Sequence, residues 1–346
     1  MRSVEQLPGL TGLVAMAALV TYAILAGADF GGGVWDLTAR GDRSSAQRAA
    51  IAEAMGPVWE ANHVWLIYVI VLLFTAFPMA YAVLSVALFW PFHLALAGIV
   101  LRGAAFVFRG HGQTVRRIPL GWGQVFGAAS VVTPVLLGAC LGAVSSGKIR
   151  VIDGVVGEDA GRAWLGLFPL ITGFLALAVC AYLAAVYLTI ETEGEVQEDF
   201  RRRALIVWLV GGVLSVAALL LTAAEAPRLW QALTGDPAGP IVALGALLAP
   251  ASALAMWHRR FRLARALAIG QVTLLLGGWA LAQWPFIVFP DVDLLGAAAP
   301  AATLQAILWT VPFGMAILLP SLWFLFAVFK GRNPATLSRH ENEAHQ

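Results

Sequence analysis

The sequence predicts an all-α, polytopic integral membrane protein with about nine transmembrane helices, on three observations. The chain is 60% hydrophobic and only 12% charged, with a mean hydropathy of +0.80, whereas soluble domains carry about 25% charged residues. Apolar runs long enough to cross about 30 Å of hydrocarbon recur nine times, at approximately 8–37, 51–77, 79–108, 121–146, 164–190, 204–225, 240–257, 262–285 and 303–330. Lys and Arg are also sorted by side. Loops after the first, third, fifth and seventh runs, with the C-terminal tail, hold sixteen of them, against five on the other side. The positive-inside rule then puts the N-terminus outside and the C-terminus in the cytoplasm, as an odd number of spans requires.

The first run lacks both a short basic n-region and a small-residue cleavage site, so it reads as a retained span rather than a signal peptide. It carries Asp29 and a triple glycine in "LAGADFGGGVWDL". Gly31 and Gly33 point to close helix approach, which small residues permit. The second run opens with "GPVWEANHVWL", and a tight turn near position 79 leads into the third. Cys140 in the fourth and Cys180 in the fifth lie in apolar surroundings without CxxC spacing, and read as small buried residues rather than a disulfide. The acidic-then-basic "ETEGEVQEDFRRR" at 191–203 reads as a solvated cytoplasmic helix end. Connections are short apart from loops at about 147–163 and 226–239, both assigned outside. Several runs exceed the ~20 residues a span needs, so they tilt or continue as helix into water. No soluble domain and no repeat period stands out, so residues 1–346 read as one helical membrane domain. The net charge of +2 implies no nucleic-acid partner.

Polar residues at membrane depth are the functional candidates. Asp29 and Glu60 both fall near the cytoplasmic ends of their spans, and intramembrane carboxylates mark proton relays or ion pathways. Holding helices together through hydrogen bonds is the competing role, and composition does not choose between them. Glu60 and His63 are three apart and share a helical face. Glu-x-x-His is also the repeated element of di-iron carboxylate bundles, which need two such elements and two further Glu. No second copy occurs, and Glu225 is the one other acid counted near membrane depth, so a di-iron site fails on ligands. A bis-histidine haem is geometrically conceivable, because His63 and His93 lie at similar distances from the turn near 79. His111, His258, His340 and His345 read as solvated.

These motifs together resemble a known family. "GADFGGGVWDL", "GPVWEANHVWLI", "LFTAFPMAY", "LRGAAFVFR" and the late "WPFIVFP" are similar, in order and spacing, to subunit II of cytochrome bd-type quinol oxidases. The W-[DE]-x-N-x-V-W element, here Trp59 to Trp65, is the most specific part. The resemblance implies a nine-span subunit in the bacterial inner membrane, paired with a subunit I that binds haem b and haem d and oxidises quinol. Subunit II itself then carries no haem, supports its partner, lines routes for protons and oxygen, and in some members holds a quinone. Small single-span accessory subunits and membrane lipid are the other implied partners. Asp29, Asn62, Trp65, Arg102 and Arg109 match the pattern. Glu60 replaces the commoner Asp, and His63 stands where Gln, Glu or His occurs. Two usual acids are missing, at Ala26 and Val107. The reading of the residues themselves, with two carboxylates toward the cytoplasmic side, makes Asp29, Glu60, Asn62 and His63 the proton-pathway candidates. A transporter and a self-sufficient haem enzyme are the alternative function classes.

Overall fold

The computed structural model describes residues 6–111 and 121–331; within these, the side chains at 57, 60, 109–111, 326 and 329–331 lie outside the described set. The helices are α1 (Leu7–Thr38), α2 (Ser44–Ala76), α3 (Pro78–Ala87), α4 (Phe89–His111), α5 (Trp122–Ser145), α6 (Leu167–Glu191), α7 (Gly194–Glu225), α8 (Pro227–Thr234), α9 (Ala238–Trp257), α10 (Phe261–Gln283) and α11 (Ala301–Gly331). Among the described residues, eight continuous helices are long and apolar enough to cross a membrane. A ninth candidate span is α2 taken as one bent helix, whose halves Ser44–Gly56 and Ala61–Ala76 meet at 49°. Pro57 supplies no amide hydrogen to the helical ladder there, a common cause of kinks. A helix satisfies its backbone polar groups internally, which is what hydrocarbon demands and why the apolar runs emerge as helices.

Helix α1 is the hub. It packs against α2, α5 and α6, and touches α10 and α11. Its glycines make this contact density feasible. A Cβ on Gly31 would run into the Cys180 carbonyl of α6, and one on Gly33 into the Ser130 hydroxyl of α5. The expected close approach is therefore real, and it brings α1 to two neighbours at once. Trp35, one turn on, donates its indole N–H to the Ala181 carbonyl at 2.8 Å. Both cysteines are free thiols.

Two features depart from the expected layout. The run taken as 79–108 is divided at Leu88 into α3 and α4. The short α3 packs against the loops of one face, around Phe77, Val83, Leu84 and Leu88, so α4 alone is the third span. On that same face the 284–300 connection, expected to be short, is a long excursion. It forms an antiparallel hairpin, β3 (Phe286–Val288) with β4 (Val292–Asp293). The 146–166 connection forms a second hairpin, β1 (Val151–Ile152) with β2 (Val155–Val156), followed by a 3₁₀ helix over Glu158–Leu165. The two connections dock on each other and on the helix ends. Phe289 N–H donates to Val144 O at 3.1 Å, and Ala299 N–H to Ala76 O at 2.8 Å. Arg150 holds Asp291 at 2.8 Å, and the Val151 amide donates to the same carboxylate at 2.8 Å. Val288 and Val292 are buried beneath. The motif "WPFIVFP" thus closes this end of the bundle.

The opposite face is arginine-rich. The 191–203 stretch, expected to be merely solvated, is an ion-pair hub. Asp199 accepts from Arg43, and Glu198 accepts from Arg201, Arg202 and Arg259. Phe200 between them is fully buried. The first turn of α7 is therefore stapled to the α1–α2 and α9–α10 turns.

Candidate functional site

The polar residues predicted at depth converge where α1, α2, α4 and α5 meet. Asp29, Asn62 and Arg102 are 1%, 2% and 3% exposed. Arg102 of α4 grips the Asp29 carboxylate with both ends of its guanidinium, Nη1 to Oδ2 and Nη2 to Oδ1, each at 2.6 Å. Nη2 also donates to the Asp29 carbonyl at 2.9 Å, and Nε to Ser130 Oγ at 2.8 Å. Ser130 Oγ in turn donates a hydrogen bond to the Phe126 carbonyl at 2.7 Å. Asn62 Nδ2 of α2 completes the carboxylate's shell at 2.8 Å. The guanidinium lies between the Phe30 and Phe126 rings, 5.1 and 4.7 Å from their centroids. A buried charge is tolerated only when it is paired and hydrogen-bonded. Here every group in the pair has a partner, and four helices are joined by one network.

His63 lies one residue beyond Asn62 and is only partly buried. Its Nδ1 sits 2.7 Å from the Trp59 carbonyl. A carbonyl can only accept, so Nδ1 carries the hydrogen and Nε2 is the basic nitrogen. Trp59 meets the His63 ring edge-on at 5.2 Å and stacks on Phe106 of α4 at 6.0 Å. Between His63 and the ion pair lies a cavity of about 10 Å³, also bordered by Tyr22 and Asn62. That is the space of roughly one water molecule, with several polar groups to hold it.

Among the other sequence-predicted residues, Trp65 is buried beside Tyr22 and Phe30, and its indole N–H has no acceptor among the described residues. Glu60 falls on α2 within the bend, and its side chain lies outside the described residues, as does that of Arg109. Sequence reasoning missed Ser130 and Tyr22, which complete the cluster. It also missed Asp36, a further buried acid, 4.0 Å from Arg48 near the end of α1. Glu225 instead pairs with Lys148 at 2.8 Å on the hairpin face.

The matched depth of His63 and His93 is corrected. Because α4 begins at Phe89, His93 is only about 6 Å into its helix, while His63 lies about 20 Å from the end of α2. His93 is exposed, with Nδ1 on the Phe89 carbonyl at 2.7 Å. The two rings do not form an axial pair, so these residues do not fit a bis-histidine haem within this chain. Among the described residues no group of three or more His, Cys, Asp and Glu comes together as a metal site.

The family model for cytochrome bd terminal oxidase subunit II matches residues 7–329. The chain belongs to that family. It is a multi-pass protein of the bacterial cytoplasmic membrane. Among relatives, the putative cytochrome bd menaquinol oxidase subunit II of Bacillus subtilis (strain 168) is 24% identical over 89% of this chain and 91% of its own length. The cytochrome bd-I ubiquinol oxidase subunit 2 of Escherichia coli (strain K12) is 29% identical over 56% of this chain and 51% of its own. The fold matches a chain of the bd oxidase from Geobacillus thermodenitrificans with a TM-score of 0.80, at 20% identity, covering 95% of this chain and 100% of that one.

Proposed function

We propose that this subunit II carries no haem itself, supports a haem-bearing subunit I in a quinol:oxygen oxidoreductase, and gives protons access to it. Haem b and haem d belong to the partner in this reading. Two named relatives, a menaquinol and a ubiquinol oxidase subunit, support the quinol. Reducing oxygen consumes protons, and drawing them from the cytoplasm stores free energy as membrane potential. The sorting of Lys and Arg, sixteen against five, assigns the arginine-rich face to the cytoplasm.

The observation that carries the proton role is the cluster of Asp29, Asn62 and His63 around a water-sized cavity in the spans. Charge crosses hydrocarbon only by such stepping stones. Within it the residues divide the work. Asp29 is gripped at both oxygens by Arg102 and fixes the geometry. His63, with Nε2 basic, and Glu60, three residues before it in the sequence, are the groups that exchange protons.

Glu60→Gln tests this, because it keeps size and hydrogen bonding but removes titration. The assembled complex should retain full haem yet consume oxygen at least several-fold more slowly, and Glu60→Asp should keep much of the rate. Undiminished turnover and proton uptake in assembled Glu60→Gln enzyme would leave Glu60 a structural residue.

A further inference from the structure

A second polar site lies on the arginine-rich face, apart from the Asp29 cluster. Where the turn after α1 meets the start of α7, an open cleft of about 300 Å³ is bordered by Arg40, Arg43, Arg202 and Arg203, with only Asp42 and Asp199 as acids. With the neighbours tied to them included, Glu195 on Arg43 and Glu198 shared by Arg201, Arg202 and Arg259, six cations face four anions and an excess of two positive charges remains. Asp199 has its hydrogen-bonding capacity largely committed elsewhere. It already accepts from Arg43 Nε and Nη2, each at 2.8 Å, and from Gln47 Nε2 at 2.7 Å.

Arg203 is the exceptional member. Its Nη2 donates to Gln47 Oε1 at 2.8 Å, while its Nη1 is buried with no acceptor among the described residues. Its guanidinium is held over the Trp35 and Phe200 rings, 5.3 and 5.4 Å from their centroids. It has no ion-pair partner within 4 Å among the described residues, and neither has Arg40. A desolvated donor without an acceptor is uncommon in folded proteins and calls for an explanation. A guanidinium suits a tetrahedral oxyanion, to which its N–H groups donate. The cleft also lies at the water-facing ends of two spans, with Trp35 beside it, the level at which phospholipid headgroups lie.

We propose that this cleft binds a phosphate group, with Arg203 and Arg40 as its main ligands. The phosphodiester of an anionic phospholipid and soluble inorganic phosphate share this chemistry, so the test separates them. The purified protein, with whatever chains accompany it, is held in an uncharged detergent. It is titrated by native mass spectrometry with phosphatidylglycerol, with phosphatidylcholine, and with phosphatidylglycerol plus inorganic phosphate. Arg203→Gln and Arg40→Gln are compared with Arg150→Gln on the hairpin face. Each cleft variant should weaken binding about tenfold, the scale of one charged hydrogen-bonded contact, and Arg150→Gln should not. Selective retention of phosphatidylglycerol that phosphate fails to displace identifies the lipid as source. Competition by phosphate without lipid selectivity identifies the soluble ion. Arg40 is exposed and bonded to nothing among the described residues, so Arg40→Gln keeps the test valid if Arg203→Gln loosens the fold. Arg40→Gln that melts and binds both probes as the parent does would overturn the proposal.

Discussion

Among the described residues, Arg102 has a different status from every other Lys and Arg, since it sits inside a span with its charge at 3% exposure. Removing one partner of such a pair leaves an uncompensated buried charge, at a cost of about 3–5 kcal/mol. Arg102→Gln should therefore lower the melting temperature and the yield of assembled protein, and adding Asp29→Asn should recover part of the loss. A single variant that melts like the parent would show that the pair does not hold the bundle. The glycines give a companion prediction. Gly31→Ala forces a methyl against the Cys180 backbone carbonyl, which no side-chain rotation relieves, and should destabilise by about 1–3 kcal/mol. Gly277→Ala in α10 meets nothing within 4 Å and should be neutral or gain up to about 1 kcal/mol. Thermal melts of the two variants side by side check the contrast. At this scale Asp29, Asn62 and the glycines were legible, because polar or missing side chains in apolar runs are conspicuous. Arg102 stood out only as a match to the family pattern, and its pairing with Asp29 emerged only from the fold. Ser130 was not legible, because a serine in a span normally satisfies itself on its own helix, and only the fold brings it to Arg102.

Between elements, the docking of the two hairpin connections depends on a titratable group outside the spans. A side-chain hydrogen bond from Arg150 holds the Asp291 carboxyl below the usual aspartate range, with burial opposing and the Val151 N–H assisting. The folded-state pKa is depressed, so the contribution is fully present above the unfolded value of about 3.9. It is lost as pH falls through that value and the lower folded one. Hydrogen exchange at the Val151 amide, taken relative to its intrinsic rate at each pH, should therefore accelerate in acid below about pH 4. In Asp291→Asn it should be faster at neutral pH and lose that acid step. Equal protection at all pH values in both proteins would remove Asp291 from the docking. The spans were legible because hydrocarbon enforces long apolar helices, whereas these hairpins were not. Their strands are two or three residues long, too short for alternation to register. The division at Leu88 was hidden for the opposite reason. Residues 78–108 are apolar throughout α3, the break and the start of α4, and hydropathy does not distinguish a cap helix from the span that follows it. That hidden break is what gave His63 and His93 a false common depth.

For the whole molecule, the proposed reading is a proton route in this chain, and His63 and His93 do not form a pair of haem ligands. His63 is bound back to its own helix and only partly buried, and His93 is exposed near a helix start. If the redox centres lie in a partner, gentle purification should bring down a second large helical chain carrying haem. His63→Ala and His93→Ala should then leave the haem content of the assembled complex near that of the parent, even where His63→Ala slows proton delivery. The two readouts separate roles that a turnover assay alone would merge. An axial ligand lost removes one haem's absorption, while a relay lost leaves the spectrum whole and lowers the rate. Loss of one haem band in an otherwise intact complex would move a redox centre into this subunit. Recovery of a stable homo-oligomer with no haem protein, in every mild detergent tried, would remove the partner. Both outcomes are read by an absorbance scan and a subunit count on the same preparation.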